Sequence, residues 1–75
     1  MTHPQLKSEP YEISARFDAR LRANAARLEA DADRDELVAA SLVHPGQLQR
    51  QQLLAQTQRE DAARIRNFLA GTRIR

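Results

Sequence analysis

Carboxylates are the side chains of this sequence with the best-defined chemistry. Asp31 and Asp33 lie two residues apart in the acidic segment 29–36, and a carboxylate pair can act as general acid and general base. That role needs a pocket that shifts the pKa of one carboxyl group, and a chain of 75 residues has little room for a ligand cavity. We therefore interpret the segment as solvated and predict that the protein is not an enzyme.

Histidines and aspartates could also bind a metal ion. The best candidate joins His44 to an acidic residue, although the spacing is not typical of a metal site. The chain has no cysteine, and His3 lies far from His44. We predict no metal and no cofactor, and we interpret His44 as a turn residue beside Pro45. The aspartates considered are Asp31, Asp33 and Asp35.

Arginine dominates the basic residues, with eleven arginines against one lysine and a net charge of +2. Arginines near the C-terminus could contact phosphates. Glu60 and Asp61 dilute that group, and no aromatic residues interleave with it for base stacking. A solvated helix face is the preferred interpretation, and nucleic acid is disfavoured as the partner. The arginines in question are Arg64, Arg66, Arg73 and Arg75.

A DNA-binding alternative comes from the alternating segment 12–18. Followed by a helical stripe, it faintly resembles a ribbon-helix-helix repressor or antitoxin, and Ser14 and Arg16 would then be candidates to read bases. The segment between the candidate helices lacks the usual glycine. The spacing of Ile13, Phe17 and Leu21 also fits a helix better than a strand.

The secondary structure predicted for the chain is mainly helical. Residues 1–10 contain Pro4 and Pro10 and predict a flexible or extended arm. Apolar residues then recur every three or four positions and predict a helix over residues 11–30, with Ser8 and Glu9 offering capping chemistry. Its stripe is Ile13, Phe17, Leu21, Ala25 and Leu28.

The second half continues the helical pattern. The first helix could run through the acidic segment, but Asp33 and Glu36 have the spacing of a capping box and favour a short connecting helix over residues 33–43. His44-Pro45-Gly46 predicts a break. A long helix follows over residues 47–70, with Gly71 as its C-cap. Its heptad face is Leu48, Gln51, Ala55, Gln58, Ala62, Ile65 and Leu69.

The sequence thus predicts an all-α fold, a helical hairpin of two longer helices with a short connecting helix, in a single domain over residues 11–75 behind the arm. Large core residues are few, which favours oligomerisation or a partner protein as a source of stability. An exposed apolar strip on so small a protein typically marks a binding surface. The candidate partner-binding residues are Phe17, Leu21, Leu28, Leu48, Leu54, Ile65, Phe68 and Leu69.

Three stretches carry a resemblance to a known family: Arg27-Leu28, the residues 45–52 (Pro-Gly-Gln-Leu-Gln-Arg-Gln-Gln) and the residues 64–71 (Arg-Ile-Arg-Asn-Phe-Leu-Ala-Gly). Residues 20–71 resemble the small bacterial co-chaperones of type III secretion needle subunits, the YscE/PscE-like family. The resemblance implies a helical hairpin in the cytosol that steadies a second chaperone, and together the two would mask the needle subunit. The contact would involve Leu21, Leu28, Leu48 and Ile65. Leu48 replaces the aromatic residue of the family pattern.

The hypothesis is therefore a cytoplasmic, non-enzymatic protein–protein interaction module, and its more specific form is a small type III secretion co-chaperone or adaptor. Its partner would be another protein or a second copy of the chain. The alternatives are a small structural component of a larger assembly, such as a virion or a secretion machine, and the DNA-binding repressor. No stretch approaches the roughly 18 apolar residues that span a bilayer.

Overall fold

The structure, a computed structural model, describes residues 10–75 and is a hairpin of two long helices closed by a pair of short strands. The element order is β1 (Tyr11–Ile13), α1 (Ala15–Ala40), α2 (Pro45–Ala70) and β2 (Thr72–Ile74). Each helix has 26 residues and is about 39 Å long. The predicted hairpin of two long helices is confirmed. Of the predicted arm, residues 1–9 lie outside the described residues.

The predicted short connecting helix is wrong, because α1 runs without interruption from Ala15 to Ala40. Asp33 and Glu36 do not form a capping box. Both carboxylates instead accept hydrogen bonds from Nη2 of Arg59 in α2, at 2.7 Å and 2.6 Å. Since an arginine of the opposite helix compensates their charge, these acidic residues are tolerated in the middle of α1.

The two helices begin at different residues from those predicted. Ser14 is the N-cap of α1, and its Oγ accepts a hydrogen bond from the backbone N–H of Phe17 at 3.1 Å. The second helix begins at Pro45, not after Gly46, because proline is favoured in a first helical turn. His44 caps that helix, with its Nδ1 accepting from the N–H of Gly46 at 3.2 Å. The reversal therefore occupies residues 41–44.

The helices pack along one line of contact, which we call the seam. Its α2 side is the heptad face predicted from sequence, and every residue of that face is buried or half-buried. The most buried seam residues are alanines, whose small side chains let two helices approach closely. The α1 side consists of Asp18, Leu21, Ala25, Leu28, Ala32, Asp35, Ala39 and Leu42.

The middle of the seam is polar. The Gln51 side chain donates a hydrogen bond from Nε2 to Oδ1 of Asp35 at 3.3 Å. The Oε1 atom of Gln58 is buried and accepts no hydrogen bond within the described part of the chain. A buried polar atom without a partner costs about 1–3 kcal/mol. The alanines of the seam therefore allow the helices to approach closely, while the buried Oε1 atom of Gln58 lowers the stability of the hairpin.

A strand pair, which we call the clasp, joins the open ends of the two helices. Strands β1 and β2 are parallel, with Tyr11 opposite Thr72 and Ile13 opposite Ile74. Ile13 is 4% exposed, and a 2.7 Å ion pair joins Glu12 to Arg73. The clasp corrects one prediction, since residues 11–13 were expected to be helical, and it adds strand β2, which was not predicted.

Candidate functional site

A hairpin of two helices is a single layer, so both of its broad sides are open. The Cα trace measures 57 × 33 × 10 Å, and the shortest extent is that of one layer of helices. Residues that flank the seam on one side form one broad face, and those on the other side form the opposite face. The seven-residue repeat of each helix keeps the two sets apart along its whole length.

The first side, which we call the ion-pair face, is closed by charges of opposite sign. Arg66 donates from Nε and Nη2 to the two carboxylate oxygens of Glu29, both at 2.8 Å. One heptad further along α1, Glu36 accepts from Nε and Nη2 of Arg59. These hydrogen bonds lower the pKa of both glutamates and raise the pKa of both arginines. Its charged groups therefore have partners within the hairpin.

The second side, which we call the apolar face, carries large hydrophobic side chains that the hairpin does not cover. Each is between 42% and 45% exposed, and two come from each helix. The ring of Tyr11, from the clasp, makes an edge-to-face contact with Phe68, with ring centroids 6.0 Å apart. The face thus runs from the clasp towards the reversal. Its four hydrophobic residues are Phe17, Val38, Leu54 and Phe68.

Arginines border the apolar face along both helices. Four of them lie three or four residues from a hydrophobic residue of the face, and the fifth, Arg27, lies one heptad from both Arg20 and Arg34, so all five are on the same side of their helix. Asp31 and Asp61 also lie on this side and pair with Arg34 at 2.6 Å and Arg64 at 2.8 Å. Five arginines therefore accompany two aspartates. The arginine border is Arg20, Arg27 and Arg34 on α1, with Arg50 and Arg64 on α2.

Shallow grooves mark both ends of the apolar face. Near the clasp, a groove of about 420 Å³ is lined by Phe17, Arg20 and Arg27 among others. Near the reversal, a groove of about 350 Å³ is lined by Val38 and Arg50 with neighbouring seam residues. Both combine apolar and cationic groups and are open to solvent. They suit an extended macromolecular surface better than an enclosed small molecule.

The structure divides the eight predicted partner-binding residues into two groups. Three of them, Phe17, Leu54 and Phe68, lie together on the apolar face. The other five belong to the seam, where packing between the two helices already covers them at least in part. They are Leu21, Leu28, Leu48, Ile65 and Leu69. Sequence reasoning missed Val38 and the arginine border, although Val38 lies three heptads after Phe17.

Other candidate chemistries find little support in the described residues. Within residues 10–75, no group of three or more histidine, aspartate or glutamate side chains could hold a metal ion. No helix in this range is long and apolar enough to cross a membrane. The Oγ of Ser14, a candidate to read bases, accepts the hydrogen bond that caps α1.

Comparison with known proteins does not place the chain in a group. No family model, curated protein or solved structure matches it.

Proposed function

We propose that this chain is a non-enzymatic interaction module that binds a partner protein on its apolar face. The observation that carries the proposal is the contrast between the two broad sides. Four large hydrophobic residues remain more than two-fifths exposed on one side, whereas the charges of the other side pair within the hairpin. Exposed apolar surface of this kind, bordered by polar groups, favours a protein contact.

The specific form of this proposal is a small cytoplasmic co-chaperone of type III secretion. Its support is the sequence resemblance over residues 20–71 together with a hairpin of two helices. In that role the hairpin would steady a second chaperone. The apolar face, and not the seam leucines, would supply the contact. A small structural component of a larger assembly would use the same face, so the two roles differ in the partner and not in the surface.

Site-specific photo-crosslinking in the cell of origin tests the proposal. A benzoylphenylalanine residue at position 54 lies on the apolar face, and the same residue at position 26 lies at an exposed site on the opposite side. We expect a protein adduct from position 54 and none, or much less, from position 26. Equal adducts from both positions, or none from position 54, would contradict the proposal.

A further inference from the structure

We propose that the partner segment is an acidic amphipathic helix that lies lengthwise along the apolar face. This inference rests on the proposed function and names the chemistry of the partner. The apolar residues of α1 set the length of the contact, because Phe17 and Val38 are 21 residues apart, or about 31 Å along a helix. A partner helix of about six turns would cover the face from one groove to the other.

A third helix would complete the packing that two helices leave unfinished. The hydrophobic residues of α1 and α2 flank the open groove between the helices, with Phe17 and Phe68 near the clasp and Val38 and Leu54 nearer the reversal. An apolar stripe of heptad spacing would fit between these two rows. The partner would thereby remove from water the large side chains that the alanine-rich seam cannot bury.

The arginine border specifies the charge of that helix. Arg20, Arg27 and Arg34 recur at intervals of seven residues, which is about 10.5 Å along α1. On α2 the border is sparser, because Thr57 stands between Arg50 and Arg64. A helix seated in the groove would place its flanking residues against these two rows. Acidic residues at intervals of seven are therefore expected, more densely on the edge that faces α1.

Several border arginines have no carboxylate partner among the residues that the structure describes. Within residues 10–75, Arg20, Arg27 and Arg50 form no ion pair, whereas Arg34 and Arg64 each pair with an aspartate of the same helix. The two aspartates leave a positive excess on the apolar face. An acidic partner would neutralise that excess, and complementary charge steers association and fixes the register of the contact.

A second copy of the chain fits this face less well. Two hairpins can stack on these faces about a two-fold axis either along the helices or across them. The first arrangement places the α1 arginine row over the α2 arginine row of the other copy, and the second places the α1 row over its own equivalent. Both bring arginines towards arginines, and like charges brought together at an interface oppose association.

Membranes and nucleic acids also suit this face poorly. Asp31 and Asp61 lie within the apolar face, among its hydrophobic residues and arginines. Insertion into a bilayer would bury these carboxylates in hydrocarbon, which is costly. On a nucleic acid they would lie towards phosphates of the same sign. Beside a partner helix these carboxylates keep their ion pairs with Arg34 and Arg64.

Synthetic helices test the inference directly. The probes are three fluorescein-labelled peptides of 24 residues: one with a leucine stripe and glutamate flanks, one with the same stripe and lysine flanks, and one with the glutamate composition scrambled to remove the stripe. Fluorescence anisotropy against the full chain measures binding. We expect the glutamate peptide to bind at least about tenfold more tightly than the other two, with an affinity that falls as salt rises.

Two matched variants assign the binding to the arginine border. Arg27→Glu should weaken the glutamate peptide by about tenfold, whereas Arg75→Glu, the same change of charge in the exposed tail, should leave it nearly unchanged. Circular dichroism confirms that each variant remains helical. The triple variant Arg20→Glu, Arg27→Glu, Arg50→Glu should reverse the preference and bind the lysine peptide.

Defined outcomes overturn the inference, and the first two of them leave the proposed function standing. Equal binding of the glutamate and lysine peptides would refute the role of charge. A homodimer in sedimentation equilibrium that Leu54→Ser dissociates would make a second copy the occupant. Tighter binding to phosphatidylserine-containing vesicles or to duplex DNA would make the partner a membrane or a nucleic acid. The proposed function fails separately, through the absence of an adduct from position 54.

Discussion

The two broad sides of the hairpin are formed by the same heptad repeat, but their surface chemistry is opposite. On the ion-pair face, Glu29 and Glu36 of α1 form ion pairs with Arg66 and Arg59 of α2, so each of these charges has a partner of opposite sign within the chain. On the apolar face, Phe17 and other large residues stay half-exposed beside an excess of arginine. One side pairs its charges within the hairpin, and the other leaves large hydrophobic side chains exposed.

Under the proposed function, this small chain divides folding and binding between two surfaces. Interhelical ion pairs fix the direction and register of the helices, and they do so with few apolar side chains. Four large hydrophobic side chains, those of the apolar face, are then left exposed. Since a marginal core of alanines supports both sides, changes in the seam should affect the whole molecule, and changes on either face should have separate effects.

The largest expected effect comes from breaking the seam that both faces share. Ala32 is fully buried, so Ala32→Leu would force the helices apart and should lower the free energy of unfolding by about 1–3 kcal/mol or more. Urea denaturation measures the change. Ala26→Leu, at an exposed position of the same helix, should change stability by less than about 0.5 kcal/mol. Similar losses from both variants would show that the helices do not approach closely at Ala32.

Removing the buried polar atom of the seam should strengthen both faces together. Gln58→Met keeps a similar shape and eliminates the Oε1 atom that has no hydrogen-bond partner in the described structure. We expect the free energy of unfolding to rise by about 1–3 kcal/mol. The exposed Gln49→Met serves as the control and should be nearly neutral in the same urea titration. A loss of stability in Gln58→Met would mean that this side chain has an unseen partner, such as a buried water.

Two adjacent leucines allow the apolar face to be compared with the outer edge of α2. Leu54 lies on the face, and Leu53 points away from both faces although it is also exposed. Leu54→Ser should weaken binding of the glutamate-flanked peptide by about tenfold, or about 1.4 kcal/mol, whereas Leu53→Ser should not. Fluorescence anisotropy compares the two variants. Equal effects would show that binding does not depend on this face.

The smallest expected effect concerns the ion-pair face and its dependence on pH. Hydrogen bonds from arginine lower the pKa of Glu29 and Glu36 in the folded chain. Their stabilising contribution is therefore complete above about pH 4.3, where 4.3 is the ordinary pKa of glutamate. It is lost as the pH falls through the lower pKa that these glutamates have in the folded chain. Thermal melts followed by circular dichroism should show a falling Tm in that acidic range.

An arginine variant gives the control for that acid transition. Arg59→Gln removes the partner of Glu36 and should lower the Tm at pH 7 slightly while making the acidic decrease shallower. Arg16→Gln, at an exposed position of α1, should leave both unchanged. Neither variant should alter binding of the glutamate-flanked peptide. A change in that binding with Arg59→Gln would mean that the two faces are coupled.

Sequence reasoning predicted the parts of the fold that depend on local periodicity. The heptad face of α2 was complete, and the end of α2 at Ala70 followed from Gly71. The stripe of α1 was less reliable because residues spaced by four drift by about 40° at each step around a helix. Phe17 and Ala25 therefore point in different directions, one towards the apolar face and the other into the seam.

Several of the missed features depend on contacts between residues distant in sequence. Glu36 and Glu29 in the acidic segment pair with Arg59 and Arg66, which lie 23 and 37 residues away. Strand β1 forms only because β2 returns beside it. The apolar face could have been found in part, since Phe17 and Val38 share one heptad position. Its arginine border becomes visible only when the two helices are aligned.

The clasp has a consequence for the order of events in folding. Contacts at the reversal join residues close in sequence, whereas Glu12 and Arg73 in the clasp are 61 residues apart. Because the entropy of closing a loop grows with its length, the helices are expected to pair from the reversal outwards and the strands to pair last. Contacts formed after the rate-limiting step slow unfolding without speeding folding. The clasp would then mainly lower the unfolding rate, and it would thereby determine how long the two faces persist once the hairpin has formed.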